Sequence, residues 1–229
     1  QNRTAALTFF QRLMTETADG QAELAAVPQI RDGLAGRISR ATYIAYLTEA
    51  YHHVCHTVPL MQAAKAGMDD AHQTFRDALD EYIAEETGHE AWILNDIRNA
   101  GGDAEAVREG TPRAATQAMV AFAYDYIARV NPMGFFGMVF VLEGTSTRLA
   151  TQGAGAVAAS LGLGPECFSY LTSHGSLDLA HMVFFQKLMD QVDDPADQAA
   201  IIEVARAIFG LFAQVFRAIP HDMAVADAV

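Results

Sequence analysis

Three side chains able to bind a transition metal, His174, Asp178 and His181, recur at helical spacing within one stretch of the chain. At about 100° per residue, Asp178 falls roughly 40° and His181 roughly 20° from the direction of His174, so all three leave one stripe of a helix. The flanks support a helix: Pro165 and Glu166 sit where a first turn begins, and Cys167 to Val192 contains no proline and only one glycine, Gly175. Taken alone, the run is equally compatible with a solvated polar stripe. Corroboration has to come from other helices that could bring further donors to the same place.

Helical periods run through the rest of the chain. A helix is expected over Thr4 to Thr17, then a loop with a short helix over Gln21 to Gly36, where Pro28, Gly33 and Gly36 interrupt the pattern. Ser39 N-caps a long helix to about Ala66, with a kink expected at Pro59. Asp69 and Asp70 cap a third helix to Asn99, stopped by Gly101-Gly102. A polar connector, Asp103 to Gly110, leads to a fourth that starts at Thr111-Pro112 and runs to about Val130. A fifth runs from Asn131-Pro132 to around Gly162, the metal-bearing sixth follows, and Asp194-Pro195 opens a seventh that ends at Pro220. The fifth carries Gly134, Gly137, Gly144, Gly153 and Gly155, each costing roughly 1 kcal/mol in a helix interior, a cost that close helix approach or room for a ligand would offset. No alternating strand pattern of useful length, internal repeat or low-complexity segment is present. The expectation is one all-α domain, residues 1–229, built as a bundle of about seven helices.

Composition narrows the partners. With 51% hydrophobic residues the chain can bury a sizeable core, and a net charge of -13 disfavours nucleic acid and anionic membrane surfaces. The two cysteines, Cys55 and Cys167, read as reduced thiols. No signal peptide is visible, and the most apolar run, Met133 to Leu142, is about half the roughly 20 residues of a bilayer-spanning helix. The expectation is a soluble, cytoplasmic protein with no nucleic-acid or membrane partner.

Two further features join the opening helix. Glu86-Thr-Gly-His89 places a carboxylate and an imidazole roughly 60° apart on a helix, able to reach one ion. Glu143 follows Phe135, Phe136, Val139, Phe140, Val141 and Leu142, and a glutamate in such company must be paired, protonated or metal-bound. The set Glu86, His89, Glu143, His174, Asp178 and His181 mixes nitrogen and oxygen donors in a number that suits two iron or manganese ions better than one zinc. Any one pair alone would more often be an ion pair or a core histidine; three sets on predicted core helices shift the balance. A ferritin-like carboxylate bundle is the competitor, and Glu49-Ala-Tyr-His52 offers a second glu-x-x-his pair. That architecture needs an acid-bearing helix between its two such pairs, and the segment from His52 to Glu86 offers none.

The order of these motifs on successive helices resembles the heme-oxygenase-like diiron oxidases, relatives of thiaminase II and of the pyrroloquinoline-quinone synthase fold. The resemblance spans nearly the whole chain and implies a seven-helix heme-oxygenase-like bundle, with Glu86, His89, Glu143, His174, Asp178 and His181 as ligands to two ferrous ions, manganese being possible. It implies dioxygen-dependent oxidation of a small carboxylate, a fatty acid or an amino acid, with no catalytic residue named beyond the ligands, and a homodimer. Haem ligation is disfavoured because the first histidine here is His52 rather than one on the first helix. A thiaminase II-like hydrolase would need Cys55 or Cys167 as nucleophile. A metal- or ligand-binding regulatory module without turnover is the alternative from another class.

The substrate side rests on less. His52 and His56 share a helical face and could orient a carboxylate or pair with neighbouring acids. Phe136 and Phe140, with Phe135, Met138 and Val139, are expected to wall an apolar pocket beside the metals. Ile202, Phe209 and Phe216 lie beside the apolar stripe of the last helix and are expected to meet a second subunit.

Overall fold

The computed structural model describes residues 5–176 and 178–223, and the side chains of residues 174–179 are outside that description. Fourteen α-helices are found among the described residues: α1 (Phe9–Glu16), α2 (Ala18–Ala25), α3 (Pro28–Leu34), α4 (Arg40–Val54), α5 (Thr57–Ala66), α6 (Gln73–Glu86), α7 (His89–Asn99), α8 (Ala104–Glu109), α9 (Ala114–Arg129), α10 (Phe135–Gln152), α11 (Ala154–Leu161), α12 (Ser169–Ser176), α13 (Asp178–Met189) and α14 (Pro195–Arg217). Short 3-10 turns precede α6, α10 and α12. The all-α bundle is as expected, but the second, third and fifth of the expected helices are each cut in two, while the fourth and seventh are single helices.

Each cut has a local cause. The second expected helix breaks at Cys55 and His56 rather than kinking at Pro59, which lies in the first turn of α5, where its missing N–H costs nothing. The third breaks at Thr87 and Gly88, where Thr87 is extended and Gly88 takes a φ of 92°, a left-handed turn that favours glycine. The fifth breaks at Gly153. The segment expected as a loop with a short helix, Gln21 to Gly36, holds the end of α2 and the whole of α3, with Pro28 at the first position of α3. Asp103 caps a short helix in the connector, and α9 starts after Arg113, later than Thr111-Pro112 implied. Ser39 caps α4 through Thr42 N–H, and Asp194 caps α14 through Ala196 N–H.

The axis of the fold is α14, which packs against α10, α9, α2, α1 and α3. It is also the one described helix long and apolar enough to cross a membrane, a longer apolar run than Met133 to Leu142. Its apolar side chains face the core on all sides: Ile201, Val204, Ile208, Phe212 and Val215 are buried, and so are Ile202, Phe209 and Phe216. The three residues expected to meet a second subunit are therefore spent inside the chain and give no argument for one. Gly137 explains how α10 approaches so closely. A methyl there would collide with the Ile201 carbonyl and stand 2.7 Å from the Ala205 amide nitrogen.

A second apolar cluster joins α4, α7 and α12 through Tyr43, Leu47, Ile93, Ile97, Phe168 and Leu171. Two buried carboxylates fasten this side. Asp96 on α7 accepts from the backbone N–H of Ser169 and of Tyr170 and from the Ser169 hydroxyl, which caps the start of α12. Glu49 on α4 accepts from the Arg113 backbone and guanidinium and from the Thr116 hydroxyl at the start of α9. The Glu49-x-x-His52 pair is thus structural on its acid side, and the ferritin-like competitor loses its second ligand pair.

Candidate metal centre

Glu86 is the last residue of α6 and His89 the first of α7. Their spacing brings them together across the turn at Gly88, not along one helix face as the sequence implied: Glu86 Oε2 lies 3.0 Å from His89 Nδ1. His89 is buried, and its ring stacks on Trp92 with centroids 4.3 Å apart. Glu143 projects from the middle of α10, and its Oε1 lies 3.2 Å from Nδ1 of His181 on α13. The other nitrogen of His181, Nε2, is 2.8 Å from Oε2 of Glu85.

Glu85 was not anticipated. Its only signal was its place beside Glu86 in an acidic last turn, where helix phase points it away from Glu86. The carboxylates act together. The hydrogen bond that His181 donates to Glu143 raises the His181 pKa above its ordinary value against burial, and the charges of Glu143, Glu85 and Glu86 add to the rise. Burial and the charges of Glu143, Glu85, Glu86 and Glu81 also push the Tyr82 hydroxyl well up.

His174 is carried by α12, while Asp178 is the first residue of α13. Their side chains lie outside the described residues, so their expected roles are not tested. Among the described residues no three histidine, cysteine or acidic side chains form a complete metal-binding group. What the fold brings together is two acid–imidazole pairs, with Glu86 and Glu143 on the wall of one cavity of about 80 Å³. The donors fit iron or manganese: imidazole and carboxylate are ligands of that class, and the carboxylates that draw a proton onto His181 would be neutralised by a cation.

The rest of that cavity corrects the expected substrate side. Phe135, Met138, Val139 and Leu142 of α10 line it, with Val54, Leu60 and Met61 opposite. Phe136 does not; it is fully buried against Phe75. Phe140 turns to the other side of α10, packing edge-on to Phe10 and Phe209 and stacking on Phe185. The reason is helical phase. Positions 135, 138, 139, 142, 143 and 146 share one face, whereas 140, 144 and 148 belong to the opposite one. There Phe140, Gly144 and Arg148 line a separate cavity of about 190 Å³, so the room left by Gly144 does not lie beside the acid–imidazole pairs.

The histidine cluster is out of phase in the same way. His56 Nδ1 is 2.9 Å from the Tyr124 hydroxyl, and half-buried His52 lies edge-on to Tyr51; neither lines the cavity. His53 does. It is 6% exposed, sits edge-on to Phe212, and burial pushes its pKa down to about 4. Its signal was its place on the apolar stripe, seven residues after Tyr46 and three after Ala50. Neither cysteine lines the cavity; burial raises the pKa of both, the opposite of what an activated nucleophile needs.

Comparison with known proteins adds a family and a fold. A family model described as iron-containing redox enzyme matches residues 44–212. No curated protein matches by sequence. Among solved structures, a domain of unknown function with a heme oxygenase-like fold from Shewanella denitrificans superposes with a TM-score of 0.81 at 22% identity, covering 93% of this chain and 91% of that one. A TenA homolog from Pseudomonas syringae gives 0.77 at 12% identity, covering 91% and 90%. Heme oxygenase-1 from Synechocystis, in complex with heme, gives 0.67 at 17% identity, covering 92% and 91%. At these identities the structural likeness establishes the heme oxygenase-like fold.

Proposed function

The chain belongs to the iron-containing redox enzyme family, and on that footing we propose that it is a non-haem diiron oxidase that uses dioxygen to oxidise a small carboxylate substrate. One observation carries the reading: the pairs Glu86–His89 and Glu143–His181 come from four helices, and their two glutamates line the same cavity. Glu86, His89, Glu143 and His181 would hold the metals, together with His174 and Asp178. Two ferrous ions, when bound, would supply the electrons and the site at which dioxygen becomes an oxidant.

The chain's own part is positioning and exclusion. Glu143 holds His181 through Nδ1 while Glu85 holds Nε2, so the ring is fixed before any metal arrives. A proton on His181 must leave for the nitrogen to bind a metal, and the surrounding carboxylates favour that proton; iron uptake should therefore weaken as pH falls. Phe135, Met138, Val139 and Leu142 keep bulk water from the cavity and offer an apolar surface to the body of a fatty acid or hydrophobic amino acid. A thiaminase II-like hydrolysis lacks a cysteine in the cavity.

The test is anaerobic loading with ferrous iron, then exposure to oxygen with candidate fatty acids and amino acids, followed by product analysis. Substrate-dependent product supports the oxidase. Iron bound without product from any acid supports a binding module without turnover.

A further inference from the structure

Two buried polar groups on the wall of the cavity have no use in holding metal. His53 reaches the wall from α4 and Tyr82 from α6, one turn before Glu86. Both residues are buried, and among the described residues neither His53 Nδ1 nor the Tyr82 hydroxyl has a hydrogen-bond partner. Buried polar atoms are almost always paired, and leaving one unpaired is costly, so two on one cavity wall call for an occupant. Their contrast with the fully bonded Glu49 and Asp96 in the same protein is plain.

We infer that His53 and Tyr82 form a polar subsite for an uncharged hydrogen-bonding group, a hydroxyl, ketone or amide, carried on the apolar body of the substrate away from its carboxylate. The inference rests on reading this cavity as the substrate site of the proposed oxidase. Its chemistry follows from the wall. An imidazole and a phenol can each donate or accept one hydrogen bond, and burial keeps both neutral. Among the described residues the charged side chains lining the cavity are Glu86 and Glu143, which would repel a second anionic group. Val54, Leu60, Met61 and Met138 favour an apolar body for the ligand, on a wall that also holds Thr57, Ser146 and Tyr170. A plain alkyl chain would leave both polar groups unpaired, whereas a site built to bond a polar group discriminates strongly against the analogue that lacks it.

The experiment is calorimetric titration of the anaerobic, iron-loaded protein with decanoate and with decanoates bearing one hydroxyl or one keto group at each position from carbon 5 to carbon 9. At least one oxygenated probe should bind about tenfold or more tightly than decanoate, and Tyr82→Phe and His53→Leu should each erase that preference while retaining decanoate binding. Tyr82→Phe removes a single oxygen and keeps the ring packed against Phe184, so it serves even where His53→Leu fails to fold. Binding no tighter than decanoate for every probe, no binding of any probe, or a preference that survives Tyr82→Phe would overturn the inference. Iron content of the same samples separates this inference from the one beneath it. A missing preference at two irons per chain overturns the subsite alone. A clear preference in protein that takes up no iron overturns the iron reading and leaves the subsite standing.

Discussion

Two sets of acids on the core helices of this chain, one buried and one half-buried, look alike in sequence and differ in what meets them. Glu49 and Asp96 are satisfied by backbone N–H groups, hydroxyls and a guanidinium, and each fastens one helix to the start of another. Glu86 and Glu143 face imidazoles instead, stand on the wall of a cavity, and with Glu85 act on His181 and Tyr82 by charge. A carboxylate whose lone pairs are used by fixed donors is a joint. One whose neighbours are imidazoles or further acids is, on the proposed function, placed to receive a cation. His53 and His181 show the same division, since burial pushes His53 down to about 4 whereas Glu143 raises His181.

The largest effect that could break this contrast is on turnover. Glu143→Gln should lower product formation by about 100-fold or more while leaving the thermal midpoint nearly unchanged, because a ligand is lost and packing is kept. Product formation and circular dichroism melting on one preparation check both halves. A Glu143→Gln protein that turns over normally would make Glu143 a joint after all.

Asp96→Ala should do the reverse. It strands two backbone N–H groups at the start of α12, so unfolding free energy should fall by about 3 kcal/mol, with iron per folded chain unchanged. Urea titration and iron analysis read the two effects. Loss of iron without loss of stability would dissolve the distinction between the two sets of acids.

Acid stability sharpens the histidine contrast. The His53 pKa is lowered from 6.5 to about 4 by burial, so the folded state resists its protonation. Its contribution is fully present above pH 6.5 and is lost as pH falls from there towards about 4, a change of roughly 3 kcal/mol. In His53→Gln that part of the acid slope should vanish, as chemical unfolding between pH 7 and 4 would show. His181, raised by its acids, contributes with the opposite sign. An unchanged slope in His53→Gln would mean that the buried ring is not held neutral.

The smallest effect separates two glycines on one face of α10, of which Gly137 meets α14 and Gly144 meets nothing. Gly137→Ala drives a methyl into the α14 backbone and should cost about 1–3 kcal/mol. Gly144→Ala meets nothing within 4 Å and should gain up to about 1 kcal/mol from helix propensity. Thermal melts of the two variants suffice, and equal destabilisation would contradict the close approach of α14 at Gly137.

Much of this was legible in the chain. Ser39, Asp194 and Pro195 mark helix starts through local capping chemistry, and Glu143 announces itself by its apolar neighbours. What the sequence could not supply was absolute phase. The start of α10 is apolar on every side, so periodicity alone could not tell that Phe135 and Val139 face the cavity while Phe136 and Phe140 face away. His52, His53 and His56 pose the same problem, since only packing against Phe212 decides which ring is buried. Gly88 falls inside the helix expected from Asp69 to Asn99; its left-handed φ is what brings Glu86 to His89. Glu85 required the position of α13, which no local pattern contains.

The account's central claim is that the acid–imidazole pairs hold iron, and the most direct measurement is iron per chain in protein grown with iron, compared with Glu86→Ala and His181→Ala. The account predicts about two irons per wild-type chain, by the number of donors available, and a sharp fall in both variants with the fold intact by circular dichroism. Iron content unchanged in both variants would contradict it.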